Sequence, residues 1–411
     1  MRSSLAPGPQ PPVPKHMTLS PRMKKIKPSA TMAVTEASAA LRGQGIQVID
    51  FGAGEPDFDT PQHIKQAAAK AIAAGATKYT PVGGTAALKQ AIITKLARDN
   101  GLEYSPPEVI ASCGGKHSLF VAFHALFSEG DEVLVPAPFW VSYPDMLALA
   151  GATAKILMTR EEDAFKLTPA QLRAAIGPKT KAIIINSPSN PAGVAYDEKE
   201  LRALAEVLVD SELTLITDDV YEMMVYGGFQ RTHVLTVRPE LRDRTLVVNS
   251  VSKTYAMTGW RIGYTAGPAQ VIKAMSTLQG QMTSNPSSPA QAAAAHALAG
   301  PQDSVTQMVR QFEHRAQFVV QRLAAIPGVE CPKPQGAFYV FPNVAAYLNR
   351  GAQGPKTGDD LAAYLIDAAH VAVVGGTDFG YPDHIRISYA NSMHNLERGL
   401  DRIDAALRKL G

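Results

Sequence analysis

KAIIINS (181–187), LTLITDD (213–219) and TLVVNS (245–250) are short apolar runs that each close on a polar residue. Consecutive Ile, Leu and Val over this length suit strands buried on both faces, the pattern of a parallel sheet covered by helices. EVIASC (108–113) and DEVLVPA (131–137) read the same way. Between such runs, PAQLRAAI (169–176) and ELRALAEVLVDS (200–211) carry apolar residues at three- and four-residue spacing, so strand and helix alternate and the chain is α/β. The character changes near residue 301, where the helical pattern QMVRQFEHRAQFVVQRLAA (307–325) precedes shorter strands in GAFYVFP (336–342), VAVVGG (371–376) and HIRISYA (384–390). This predicts a disordered Pro-rich tail (1–18), an N-terminal arm and small-domain segment (19–60), a large domain (61–300) and a smaller α+β domain (301–411).

Bulk properties narrow the function. A chain of 411 residues exceeds one ordinary core. The net charge of +3, with scattered basic residues, gives no footprint for nucleic acid, and no apolar run is long enough to cross a bilayer. Two cysteines, Cys113 and Cys331, make neither a disulfide framework nor a zinc pattern, so no metal is expected and a reducing cytoplasm fits. The N-terminal residues lack the apolar segment of a secretory signal. The expected partners are small molecules.

In open parallel sheets ligands bind beyond the carboxyl ends of the strands, so the residues ending each run belong together. EVIASC leads into Gly114, Gly115 and Lys116 and then a helix-like stretch, a place where backbone N–H groups can receive a phosphate. A Walker loop is excluded because Ile110 and His117 stand where it needs glycine and Ser or Thr, and no strand is followed by a dinucleotide fingerprint. NSPSNPAG (186–193) sets Asn190 on a rigid turn before Pro191. TDDVYE (217–222) ends a buried strand on Asp218 and Asp219, with Tyr221 after them. An inward Asp218 calls for a cationic partner such as a pyridinium nitrogen, since a lone buried carboxylate protonates. SVSKTYAMTGWRIGY (250–264) brings Ser250, Lys253 and Arg261 just past a strand end. A partly desolvated lysine there can form a Schiff base, while Ser250 and Arg261 complete a phosphate site. Taken singly, each residue also has a structural account: a glycine turn, a turn asparagine, a helix cap, a solvated lysine.

Together with FGAGEPDFDTP (51–61), GGKHSLF (114–120) and HIRISYA (384–390), these segments resemble the class I aminotransferases of pyridoxal-phosphate fold type I, and more narrowly the bacterial aspartate or aspartate/prephenate subgroup. The likeness runs in order from about Leu19 to the C-terminus. It implies a mainly parallel seven-stranded sheet flanked by helices, pyridoxal 5'-phosphate as cofactor, and a homodimer with shared active sites. It makes Lys253 the cofactor lysine and proton shuttle, Asp218 the partner of the pyridine nitrogen, and Tyr221 and Asn190 donors to the ring oxygen. Gly114, Gly115, Lys116, Ser250 and Arg261 would hold the phosphate, Trp140 in APFWVSYP would stack on the ring, and Tyr79 in TKYTPVGG would reach the phosphate of the neighbouring subunit. Arg386 would bind the substrate α-carboxylate, with Gly54 adding a contact.

Some dicarboxylate-specific relatives use an arginine that LQGQMTSNPSSPAQ (278–291) lacks, whereas Lys27 in KIKPSAT matches a lysine of the closer subgroup. Aspartate with 2-oxoglutarate is the resulting expectation, with prephenate as a further acceptor. The rivals are aromatic or alanine transamination, or β-lyase or cyclase chemistry, on the same fold. A ligand-sensing regulator would need a DNA-binding domain, for which the tail is too short, and a nicotinamide oxidoreductase would need the missing fingerprint.

Overall fold

The computed structural model describes residues 17–28, 30–351 and 354–410; the Pro-rich stretch before them lies outside the described residues. Its strands run β1 (Ile49–Asp50), β2 (Val109–Ser112), β3 (Glu132–Ala137), β4 (Thr153–Met158), β5 (Thr180–Asn186), β6 (Thr214–Asp218), β7 (Thr245–Ser250) and β8 (Gly263–Ala266). Four short ones follow: β9 (Tyr339–Val340), β10 (Val371–Ala372), β11 (Val374–Gly375) and β12 (Ile385–Ser388).

A seven-stranded sheet has the order β2-β8-β7-β6-β5-β3-β4. Every pairing is parallel except those of β8, which is antiparallel to both β2 and β7. Side chains alternate between faces along each strand. In β5, Ile183 and Ile185 pack with Leu88, Ile92 and Leu204 on one side, while Ala182 and Ile184 pack with Phe123, Met146 and Met275 on the other. Continuous apolar runs are the consequence of covering both faces, because neither alternate set can be polar.

Helix starts are written into the sequence. Asp197 caps Glu198–Val209 and Thr168 caps Pro169–Ala175, each in a reciprocal capping box that satisfies backbone N–H groups otherwise left free. A second core gathers Phe312, Val319 and Leu323 of helix Asp303–Ala324 with Leu400 and Ile403 of helix Met393–Leu410, around β9 and β12. β1 pairs in parallel with β10, so the chain before the large sheet packs on its C-terminal part.

The antiparallel β8 matters to the site. Its first residue, Gly263, is paired with Ser112 on one side and Ser250 on the other, so the turn before it emerges among the carboxyl ends of the parallel strands. A Cβ on Gly263 would lie 2.3 Å from the carbonyl carbon of Gly114 and 2.4 Å from the nitrogen of Gly115. Both contacts are backbone and cannot rotate away. Gly263→Ala is therefore expected to lower unfolding stability by about 1–3 kcal/mol, the usual cost of overpacking, seen as an earlier urea midpoint at unchanged slope.

Candidate active site

The ends of β5, β6 and β7 carry the chemistry. Asn186 lies opposite Asp218 in the strand register. Its side-chain amide donates to the Asp218 carbonyl (2.8 Å) and accepts from the Asn190 backbone N–H (2.9 Å), which fixes the turn bearing Asn190. Of the two adjacent acids, Asp218 faces the cavity, and the Tyr143 hydroxyl donates to its Oδ2 at 2.6 Å. Asp219 turns away, accepting from Thr217 Oγ1 (2.9 Å) and meeting His233 Nε2 at 3.2 Å. Burial pushes the Asp218 carboxyl up to about 6, against the opposing pull of the Tyr143 hydrogen bond.

Lys253 follows β7 in a tight turn, and its Nζ donates to the Gly54 carbonyl. Burial brings the amine down to about 8; Glu55 works the other way, and the guanidinium groups of Arg386 and Arg261 push it further down. Close by, Gly114 (φ 98°) caps the helix Gly115–Leu126, whose first N–H groups point out of the helix end. Arg261 has a left-handed φ of 56°, unusual for a side chain of this size, which turns its guanidinium onto Gly114. A Cβ at Gly114 would come within 2.5 Å of Arg261 Nη2, so glycine is required for this approach. Ser250 stands beside Gly115, with its Oγ 3.7 Å from the position a Cβ there would take. Hydroxyl, guanidinium and helix amides together form an anion cradle.

Arg386, on β12, is 1% exposed. Its Nη1 donates to Asn190 Oδ1 (3.0 Å) and its Nη2 to the Gly52 carbonyl (2.7 Å), while its plane stands over Tyr339 (4.6 Å) and Phe379 (5.2 Å). Nε is buried without an acceptor, and no carboxylate among the described residues pairs with the group. A buried guanidinium surrounded by neutral acceptors has the charge and geometry to take up a carboxylate.

These groups surround one cavity of about 260 Å³. Gly54, Gly115, Lys116, Trp140, Asn190, Asp218, Tyr221, Ser250, Lys253, Arg261 and Arg386 all line it, with Gly114 just behind as the helix cap. Tyr221 donates to or accepts from the Tyr339 hydroxyl at 3.0 Å. Two residues singled out in the sequence lie elsewhere. Tyr79 is 91% exposed, on a loop held by Gln291 and Ser288. Lys27 lines a neighbouring cavity of about 770 Å³ with Asp145 and Asp378, which shares Lys116, Val141, Ser142 and Arg261 with the first.

The model of the aminotransferase class I and II family matches residues 46–403. The chain belongs to this family. Aspartate aminotransferase of Geobacillus stearothermophilus is 50% identical over 387 residues, 94% of this chain and 98% of that protein. A probable aspartate/prephenate aminotransferase of Rhizobium leguminosarum is 49% identical over 389 residues, 94% and 97% of the two. The crystal structure of the Rhizobium meliloti aspartate aminotransferase matches with a TM-score of 0.92 at 45% identity, covering 95% of this chain and 99% of that one. Thermus thermophilus aspartate aminotransferase with maleate matches at 0.89 and 40% identity, covering 95% and 100%. The chain is therefore an aminotransferase with the family's mostly parallel sheet.

Sequence reasoning missed three residues of this aminotransferase site: Tyr143, Asn186 and Tyr339. Tyr143 and Tyr339 sit in motifs already quoted, but a buried tyrosine has the same sequence signature as a core aromatic. Their hydroxyl partners distinguish them. Tyr143→Phe is expected to cost about 1–3 kcal/mol, because it leaves Asp218 buried without its side-chain donor, and thermal unfolding would measure it. Lys253 offers a pH test on the free protein. With its folded value lowered to about 8, the neutral amine gains as pH rises through 8, well below the range of a surface lysine. Acylation of Lys253 by a small reagent, followed by peptide mass spectrometry, is expected to show a midpoint near pH 8.

Proposed function

We propose that this aminotransferase binds pyridoxal 5'-phosphate and transfers the amino group of L-aspartate to 2-oxoglutarate, giving oxaloacetate and L-glutamate. The observation that carries the reading is Arg386, a buried cation with no carboxylate partner among the described residues, in the same cavity as a lysine brought down to about 8 and a buried aspartate. The residues present fit the cofactor. Arg261 packed on a glycine that tolerates no Cβ, beside Ser250 and a helix start, suits a phosphate, and Asp218 suits a protonated ring nitrogen. When bound, the cofactor supplies an aldehyde carbon that accepts the amino group and a cationic ring that delocalises the electron pair left on the substrate Cα.

The protein supplies the rest. Arg386 grips the α-carboxylate bidentately, and Asn190 and the Gly52 carbonyl hold its guanidinium in plane. Lys253, with its pKa drawn toward working pH, takes the proton from Cα and returns it. Asp218, fixed by Tyr143 and by the Asn186 contact to its backbone, keeps a negative charge at one end of the cavity. Donor and acceptor use the same clamp in turn, which fits a ping-pong exchange.

For the distal carboxylate the reading relies on Lys116, whose Nζ stands over Trp140 at 4.9 Å and which lines both cavities, with Lys27 beyond it. Prephenate as an additional acceptor draws support from the relatives named aspartate/prephenate aminotransferase. The working unit in this reading is a homodimer, with exposed Tyr79 reaching the phosphate of a second copy.

The test is the visible spectrum of the purified protein with added pyridoxal phosphate. L-Aspartate is expected to bleach the band and 2-oxoglutarate to restore it, and Lys253→Ala to abolish the cycle. Arg386→Lys loses the bidentate fork and is expected to lower kcat/KM by about thirtyfold or more, the equivalent of about 2–5 kcal/mol. A band that never forms would end the cofactor assignment, and one indifferent to aspartate would end the substrate assignment.

A further inference from the structure

The segment between Phe51 and Pro61 has no regular secondary structure, yet it supplies two of the closest backbone contacts in the site. The Gly52 carbonyl accepts from Arg386 and the Gly54 carbonyl from Lys253. Something must hold this loop to within a fraction of an ångström, because its carbonyls orient both functional cations.

Its contacts come from two sides. Toward the large sheet, Thr258 Oγ1 donates to Glu55 (2.6 Å), Thr60 Oγ1 donates to the Ala256 carbonyl (2.7 Å), and Trp260 Nε1 donates to Thr60 Oγ1 (3.0 Å). All three partners lie in the loop that carries Lys253 and Arg261. Toward the second core, Arg315 of helix Asp303–Ala324 grips Asp57 with both terminal nitrogens, at 2.6 and 3.0 Å. Arg315 is 7% exposed, and its guanidinium lies against Phe58 (5.0 Å) and Phe312 (5.4 Å).

The Asp57 side chain keeps 29% of its surface in solvent, so water could solvate that carboxylate without help. A buried arginine spent on it gains little from neutralising charge and much from geometry, since a planar fork on a carboxylate fixes both distance and orientation. We infer that Arg315 is a positioning residue for substrate recognition: through Asp57 it sets the Gly52 carbonyl and so aims Arg386 at the substrate carboxylate. This rests on the carboxylate-clamp reading of Arg386 given above. The phosphate cradle of Ser250, Gly114 and Arg261 stands on the large sheet, tied to this segment through Thr258 and Glu55 rather than through Asp57.

The experiment uses the holoenzyme and maleate, a dicarboxylate without an amino group. Arg315→Met is expected to weaken maleate binding and raise KM for aspartate about tenfold, the scale of a small misplacement. The cofactor Kd should stay within about twofold, as for an independent site. Arg315→Lys should recover only part of the loss, since an ammonium cannot fork. Asp57→Asn, isosteric and on the solvent side, should move maleate affinity in the same direction and serves if Arg315→Met does not fold. The inference is overturned if Arg315→Met melts earlier yet binds maleate like the wild type, or if cofactor and maleate loosen in parallel. Failure of the wild-type holoenzyme to bind maleate would instead remove the clamp reading, and this inference with it.

Discussion

Arg386 is buried and Lys253 half-buried in one small cavity, and the surrounding structure is arranged around the cost of drawing these cations out of water. Desolvating a charge is expensive unless hydrogen bonds or counter-charges replace the lost water. The lysine responds by giving up its proton more readily. The arginine cannot, so neutral oxygens of Asn190 and Gly52 and the faces of Tyr339 and Phe379 surround it while one nitrogen stays without an acceptor. The Arg386 charge also pushes the Lys253 pKa down, so the two cations oppose each other in a cavity that an anion would relieve.

The sheet makes this arrangement possible. Parallel strands bring the ends of β5, β6 and β7 to one edge, and the reversed β8 returns the chain to that edge from the other direction. Arg261 thus arrives opposite the helix start without a long connection. Arg386 comes from a separate sheet, packed on the second core, and the Gly52–Thr60 loop joins the two. The site lies where the large sheet and the second core meet.

Much of this was legible in the sequence because buried parallel strands leave unbroken apolar runs. β7 coincides with TLVVNS, and β5 and β6 differ from their runs by a residue at either end. Two strands of the large sheet left no such trace. β4 is a half-exposed edge strand of mixed composition, and β8 is four residues, Gly-Tyr-Thr-Ala, with no apolar run to notice. VAVVGG is split into β10 and β11, since each half pairs with a different partner. Tyr143, Asn186 and Tyr339 lie inside readable motifs too, but what marks them out is a hydrogen bond to a partner distant in sequence, which the motif itself does not show. The contribution of Arg315 depends on a partner 258 positions away, which no local pattern encodes.

Asp218 ends β6 and Asp219 follows it, one turned to the cavity and one to His233 on the opposite side. Because faces alternate with every residue, the distinction between them is one of parity. Loss of a single residue within Thr214–Asp218 would move Asp219 into the place of Asp218 and Val220 into the place of Asp219, leaving His233 beside an apolar side chain.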